Sequence, residues 1–525
     1  MKQIKQQQVF FIASLFAAVS MLNFACTSNN TPQFGTPEIS LEGNGSADLA
    51  PGQTTTISLK LKADGAAKSV IVKKNGGFLK EVPVLATSDK FDFQTETFAK
   101  TALEGEEITY SFILTNTGKV ESQEVTFVLR AALYPSMQLG TTAVFDLGGV
   151  GKDGKLEAGV LKLSKNRRYY LPASLEIGEA AELIIEEGVE LYMNADATEK
   201  IELEVDGKVN ITGSANAPVI MTSSKLLSNP QQVQVNDWEK FKVKGKGKNT
   251  SSGRISYLRI EYPGHRALTL SDVGSGTQVD HIQVYKSGKN GSNDGVGIMI
   301  AEKSDVNVKY LVATDCEGGS FQLKNNYSGK MQFLISVSSV FYKENDAFRL
   351  EQSVSPVVAN VTILGPGSKA EKDTQGIYMK DAAAPKIYNS IVAGFPRRAV
   401  RAKDKVKVTD LNGEAVFAHS YVFDIKEDAF KDLATPFAGD FDASGQQTAN
   451  PFFNNVQKKT KDQFDCESID GIGVNDFIPN AEKTSTFNPK SIDTFFSDAP
   501  FVGAIKNETD DWTKGWVKNP DGTIR

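Results

Sequence analysis

Histidine is nearly missing from this chain, with 3 in 525 residues, and tryptophan and cysteine are as scarce at 3 each. Chemistry that leans on imidazole or thiolate, as a general base or a zinc site, therefore has few candidates. Basic charge is not in excess either. Lysine and arginine number 58 against 64 aspartates and glutamates, a formal net charge of −6, and nothing in that balance recruits a nucleic acid. After residue 25 no long apolar run recurs, which excludes a polytopic helical membrane protein. Cys316 and Cys466 are so distant in sequence that their spacing implies no bridge, and they read as two unconnected thiols.

What the chain does have is glycine, at 44 residues, and phenylalanine, at 31. That composition suits a turn-rich β protein. At the amino terminus, Lys2 and Lys5 precede an apolar run from Val9 to Ala25, and Cys26 comes next. This is the pattern of an export signal, too short for a bilayer span. Leu22-Asn23-Phe24-Ala25-Cys26 resembles a bacterial lipobox, which implies cleavage before Cys26 and acylation of that residue. The polar stretch TSNNTPQFGTP after it has the composition of a tether. Residues 1–25 are thus assigned to a leader and 26–35 to a tether.

Residues 36–131 alternate with a period of two. Ile57, Leu59 and Leu61 repeat across Ser58 and Lys60, as do Tyr110, Phe112 and Leu114, and then Val125, Phe127 and Leu129. Half-buried strands in such a segment, divided by turns such as Pro51-Gly52 and Glu104-Gly105, predict an immunoglobulin-like β-sandwich. It lacks the Cys…Trp…Cys core and reads as a spacer, joined by a linker over 132–154 to the remainder of the chain.

From residue 155 to 430 a longer period appears. Apolar pairs fall at Leu258/Ile260, Ile282/Val284, Leu311/Ala313, Ile335/Val337, Val361/Ile363 and Ile391/Ala393. Each is succeeded by a second strand that opens on a small residue: Ala267, Gly297, Ser320, Ala347, Gly376 and Ala399. Two or three short strands in every ~27 residues, with no helix, make a solenoid with one shared apolar interior. The LxxLxLxxN consensus of leucine-rich repeats is absent. The expected fold is a right-handed parallel β-helix whose coils stack about 4.8 Å apart, with the small residues in one inward stack.

The segments LEIGEAAELIIEEGVELYM, VDGKVNITGSANAPVIMTSSK and ISYLRIEY, together with the closing FVGAIKNETDDWTKGW, resemble surface lipoproteins of Gram-negative bacteria that carry a pectin-lyase-like β-helix. The resemblance implies fold and location, with a protein held in the outer membrane by lipid on its periplasmic or extracellular face. It implies little chemistry, because members are largely of unassigned function. Residues 431–525 lack the repeat and carry Trp512 and Trp516. They are expected to cap the open end of the solenoid.

Enzymes on this fold cleave acidic polysaccharides from an outer groove. Paired aspartates beside Gly-His-Gly, the mark of the hydrolases, have a partial echo in Gly264-His265-Arg266. A lyase needs a base and a cation. Lys324 and Arg349 on second strands could supply these, with Ca2+ held by Asp294, Asp315, Glu317 and Asp346. The competing reading of those carboxylates is local backbone bonding at coil turns. Tyr262, Tyr285, Tyr327, Tyr342 and Tyr378 recur beside turns, where exposed aromatics would suit sugar rings or partner proteins. The alternate lysines of KFKVKGKGK, 240–248, would share one outer face. The reading reached is non-catalytic glycan or protein binding at the cell surface without a cofactor. The alternative is a lyase acting on acidic glycans.

Overall fold

The computed structural model describes residues 34–289, 295–339, 345–367, 373–408, 413–427, 429–431, 456–458, 478–479 and 484–525. Cys26, Asp294, Tyr342 and Cys466 lie outside the described residues. The chain forms two units.

The first unit is built of antiparallel strands. Glu38–Leu41, Thr56–Lys62 and Lys90–Gln94 make one sheet. Ser46–Leu49, Val125–Ala131, Glu107–Asn116, Ala67–Lys74 and Gly77–Pro83 make the other, in that order. Alternation buries Ile57, Leu59 and Leu61 from the first sheet, and Tyr110, Phe112 and Leu114 from the second. Phe93 joins the two layers, with its ring 5.2 Å from Tyr110 and 5.6 Å from Phe112.

The second unit is a right-handed parallel solenoid of about 10 turns. In its central coils a long strand bends once near its middle. The strands Gly253–Glu261, Gln278–Tyr285, Val308–Thr314, Lys330–Val337, Val357–Leu364 and Lys386–Phe395 stack in parallel register. The bend is a single left-handed residue in each: Tyr257, His281, Tyr310, Phe333, Asn360 and Asn389, with φ between 52° and 61°. One such residue turns the chain without interrupting the ladder on either side. The halves before and after it form sheets 1 and 2. Sheet 3 consists of the short strands Lys240–Lys244, Leu268–Ser271, Val296–Ala301, Gly319–Leu323, Asp346–Leu350, Gln375–Met379 and Val400–Ala402.

The interior is a set of in-register stacks. Phe241, Leu268, Ile298, Phe321, Phe348, Ile377 and Val400 succeed one another, and the rings of Phe321 and Phe348 meet at 5.6 Å. The predicted small residues are in register beside them and are all buried. A Cβ on Gly297 would come within 2.8 Å of Cys316 Sγ and 2.9 Å of the Ser320 carbonyl, so that corner admits no side chain. Cys316 is free and buried; burial pushes its thiol up to about 12, which leaves it inert.

Two expectations shift. Ile335/Val337 and Ile391/Ala393 do not point into the solenoid as their counterparts do; Leu334 and Val392 take the inward places. The outward four pack against Val502, Ala504, Ile505, Trp516 and Val517. The described part of the tail therefore lies along the flank of sheet 2 and not across an open end. It runs from Ser485 beside Asn389, through Ala504 beside Thr362, to Lys518 beside Gln283. Trp516 is fully buried there and Trp512 partly so.

The tail is fastened by buried polar groups, since carbonyls laid on a sheet face need donors. The Asn360 amide donates to the carbonyls of Phe501 (2.7 Å) and Ala499 (3.3 Å). Asn389 donates to that of Phe487 (2.9 Å). Arg259 donates to the Trp516 carbonyl at 2.7 Å and to Glu261 at 2.6 Å, and Lys518 reaches Glu261 at 3.1 Å.

Candidate functional site

Alternation along sheet 3 sends every second side chain outward. Glu204, Lys242, Thr269, Met299, Gln322, Arg349, Tyr378 and Arg401 form one outward row across adjacent coils. The lysines of the 240–248 stretch begin the face, and the first three each have an acidic partner one coil earlier: Lys240 with Glu202 at 3.0 Å, Lys242 with Glu204 at 2.5 Å and Lys244 with Asp206 at 3.3 Å.

Short side chains occupy the next coils, so the surface dips. Thr269, Ser271, Met299 and Ala301 floor a groove of roughly 240 Å3, with Lys240, Lys242 and Arg266 on one side and Lys324 on the other. Of the four cations around it, Lys240, Lys242 and Lys324 are already paired with Glu202, Glu204 and Glu351, and the lining carboxylate Glu302 accepts from the Asn325 amide. Arg266 sits at a left-handed bend, φ 54°, fixed by the Thr269 hydroxyl donating to the Arg266 carbonyl at 3.0 Å. Its Nε is buried without a hydrogen-bond partner among the described residues. Among the described residues no carboxylate lies within ion-pair distance of it. An unpartnered guanidinium nitrogen over a polar floor is a ready donor for a carboxylate or sulfate.

Further along the face the charges are locked. Glu351 accepts from Gln322 at 2.7 Å and Lys380 at 3.0 Å, with Lys324 at 3.7 Å. Burial would raise the Glu351 carboxyl, but Lys380, Lys324 and Arg349 outweigh it and hold it below its ordinary value. Burial would likewise lower Lys380, and the bond to Glu351 overrides it, so its pKa is raised. Both stay ionised near neutrality. The pair supplies fixed charge and not a proton acceptor.

Of the residues singled out in the sequence, Lys324 and Arg349 do share this outer face. Lys324 lines the groove, whereas Arg349 is held by Asp346 at 3.0 Å. Tyr378 stands beside Arg349 in register, with the Arg401 guanidinium 5.1 Å over its ring. The other tyrosines do not join it. Tyr262 and Tyr285 meet edge to face at 5.6 Å at the end of sheet 2, under Lys518. Tyr285 is buried and donates to the Pro520 carbonyl. Tyr327 is fully buried, its hydroxyl on the Val306 carbonyl at 2.9 Å. These two are packing elements, because a ring with no exposed surface cannot take a sugar.

Of the proposed calcium ligands, the three described ones have local hydrogen-bond partners. Asp315 accepts from the Ser339 amide and hydroxyl, Glu317 from the Lys289 amide, and Asp346 from Arg349 and Gln375. Among the described residues no three acidic, histidine or cysteine side chains are grouped to hold a metal. The described carboxylates Asp315, Glu317 and Asp346 thus each serve a turn or a neighbouring strand.

Sequence reasoning missed Arg266 and the left-handed column at the bend. The column was readable in part: Tyr257, His281, Tyr310 and Asn360 each immediately precede one of the apolar pairs. For Arg266 the adjoining small residue Ala267 set the period, but nothing in the sequence told that the next outward side chains leave a hollow.

In comparison with known proteins, residues 154–517 match the model of a pectate-lyase-like β-helix domain. No curated protein matches the chain. Among solved structures, the fibronectin(III)-like modules of Clostridium thermocellum CbhA align at 13% identity with a TM-score of 0.15, over 18% of this chain. The chain spans 46% of the length of that structure.

Proposed function

This chain belongs to the pectate-lyase-like β-helix family, and from that premise we propose that it is a lipid-anchored outer-membrane protein that binds acidic glycans on the outer face of sheet 3 without cleaving them. The observation that carries the reading is Arg266 over this groove, whose buried guanidinium nitrogen lacks a partner among the described residues, with Lys240, Lys242 and Lys324 lining the same hollow. Neighbouring coils repeat at about 4.8 Å, close to the length of one pyranose unit, so successive charges along a chain can meet successive coils. The locked Glu351–Lys380 pair supports binding over proton abstraction. The sequence Leu22-Asn23-Phe24-Ala25-Cys26 supports the anchor.

A screen of the purified protein on polygalacturonate, alginate and chondroitin sulfate tests this. The expected result is retention of at least one polymer at low salt, with no rise in the ultraviolet absorbance of an unsaturated product. Absorbance that grows with time would establish the lyase alternative instead. Absence of retention on every acidic polymer would remove both.

A further inference from the structure

A second groove lies on the outer face of sheet 1. Its floor is set by register. Ser256, Asp280 and Lys309 occupy equivalent outward positions in three successive coils, and Arg254 and Gln278 form the row beside them. The tail covers this face further on, where the Ser497 amide donates to Gln332 at 2.8 Å and Asp493 pairs with Lys330 at 2.8 Å. It stops short of Asp280. The part left open is a hollow of roughly 630 Å3 bordered by Phe495 of the tail, inside the range of about 300–1,000 Å3 typical of small-ligand sites.

One wall is an aromatic column. Tyr257, His281 and Tyr310 stack at centroid distances of 4.1 and 4.3 Å, braced from behind by Trp512 and Trp516. The floor is polar and rigid. Asp280 accepts from Ser256 at 2.5 Å, Gln278 at 3.0 Å and His281 Nδ1 at 2.8 Å. Lys309 donates to Ser497 at 2.9 Å and lies 4.8 Å over the Phe495 ring, and burial lowers its pKa. Among the described residues neither Arg254 nor Lys309 has a carboxylate within ion-pair distance.

We propose that this groove is a separate binding site for a neutral oligosaccharide. A sugar hydroxyl both donates and accepts. Asp280 offers an acceptor between the donors Arg254 and Lys309, which suits adjacent hydroxyls on one ring. Phe495 at the border, beside the ring column, offers apolar surface for the C–H groups of a pyranose. An acidic sugar is disfavoured, because its carboxylate would come up against Asp280. The two grooves thus differ in kind, and neither depends on the other.

The test is calorimetric titration of the full chain with maltotriose, cellotriose, xylotriose and mannotriose, with trigalacturonate in parallel. At least one neutral trisaccharide should bind saturably. Arg254→Ala, an exposed position that leaves the fold intact, and Asp280→Asn should each weaken it about tenfold or more. Lys242→Ala, on the other groove, should leave it unchanged. If no neutral trisaccharide binds at millimolar concentration, or if binding survives Arg254→Ala and Asp280→Asn undiminished, the site is refuted. Binding of trigalacturonate alone refutes it as well, and leaves the sheet 3 reading standing.

Discussion

Phe348 and Arg349 are sequence neighbours with opposite fates. Phe348 is fully buried in the inward stack, whereas Arg349 points outward into an ion pair with Asp346. Phe348→Ala should therefore cost about 3–5 kcal/mol. Arg349→Ala should cost no more than about 1 kcal/mol, since a partly exposed pair contributes little. Denaturant titration of both variants checks this, and equal losses would mean that the register is wrong. This contrast was legible in the sequence because the strand alternates. The groove residue Arg266 was not, since a scan of Gly264-His265-Arg266 for hydrolase chemistry says nothing about which neighbours are short.

Glu261 gives a pH prediction. It is buried; burial alone would raise its pKa, but Arg259 and Lys518 outweigh that and hold it below the ordinary 4.5. A depressed folded pKa means that the stabilisation is complete above 4.5 and is lost as pH falls through the lower folded value. Because Lys518 belongs to the tail, acid should loosen the tail from sheet 2. A change in Trp512 and Trp516 fluorescence below pH 4.5 would report it. Glu261→Gln cannot titrate and should lack that transition; superimposable acid curves for the two proteins would contradict the assignment.

Among the elements, sheet 2 explains where sequence reading slipped. A strand buried on one face alternates, but a strand covered on both reads as a continuous apolar run. Phe333, Leu334 and Ile335 are such a run, as are Ile391, Val392 and Ala393, so which residue points inward could not be told from periodicity. The second strands of sheet 3, with one face open, kept their alternation, and all six small-residue starts fell into register. The same logic places the described tail, residues 484–525, on the flank. Deleting residues 497–525 should uncover Val312, Ile335, Val337, Leu364 and Ile391, lower the melting temperature and raise binding of a hydrophobic dye, because a contiguous apolar patch that large is rare on a soluble surface. Full retention of stability by the truncated chain would contradict this packing.

For the whole molecule, the anchor and the glycan face are separable claims. Cys26→Ser should move the protein from the detergent phase to the aqueous phase in a partitioning assay, while leaving glycan retention as it was. Equal partitioning of parent and variant would dismiss the anchor. The glycan face is tested most directly by calorimetric titration of trigalacturonate into the full chain, its Arg266→Ala variant and its Lys324→Ala variant at low and moderate salt. Saturable binding that falls with salt, and falls about tenfold in each variant as a charge-assisted hydrogen bond is lost, is the predicted result. Undiminished affinity in both variants, or no heat of binding to the parent at low salt, would contradict the assignment of acidic glycans to the outer face of sheet 3.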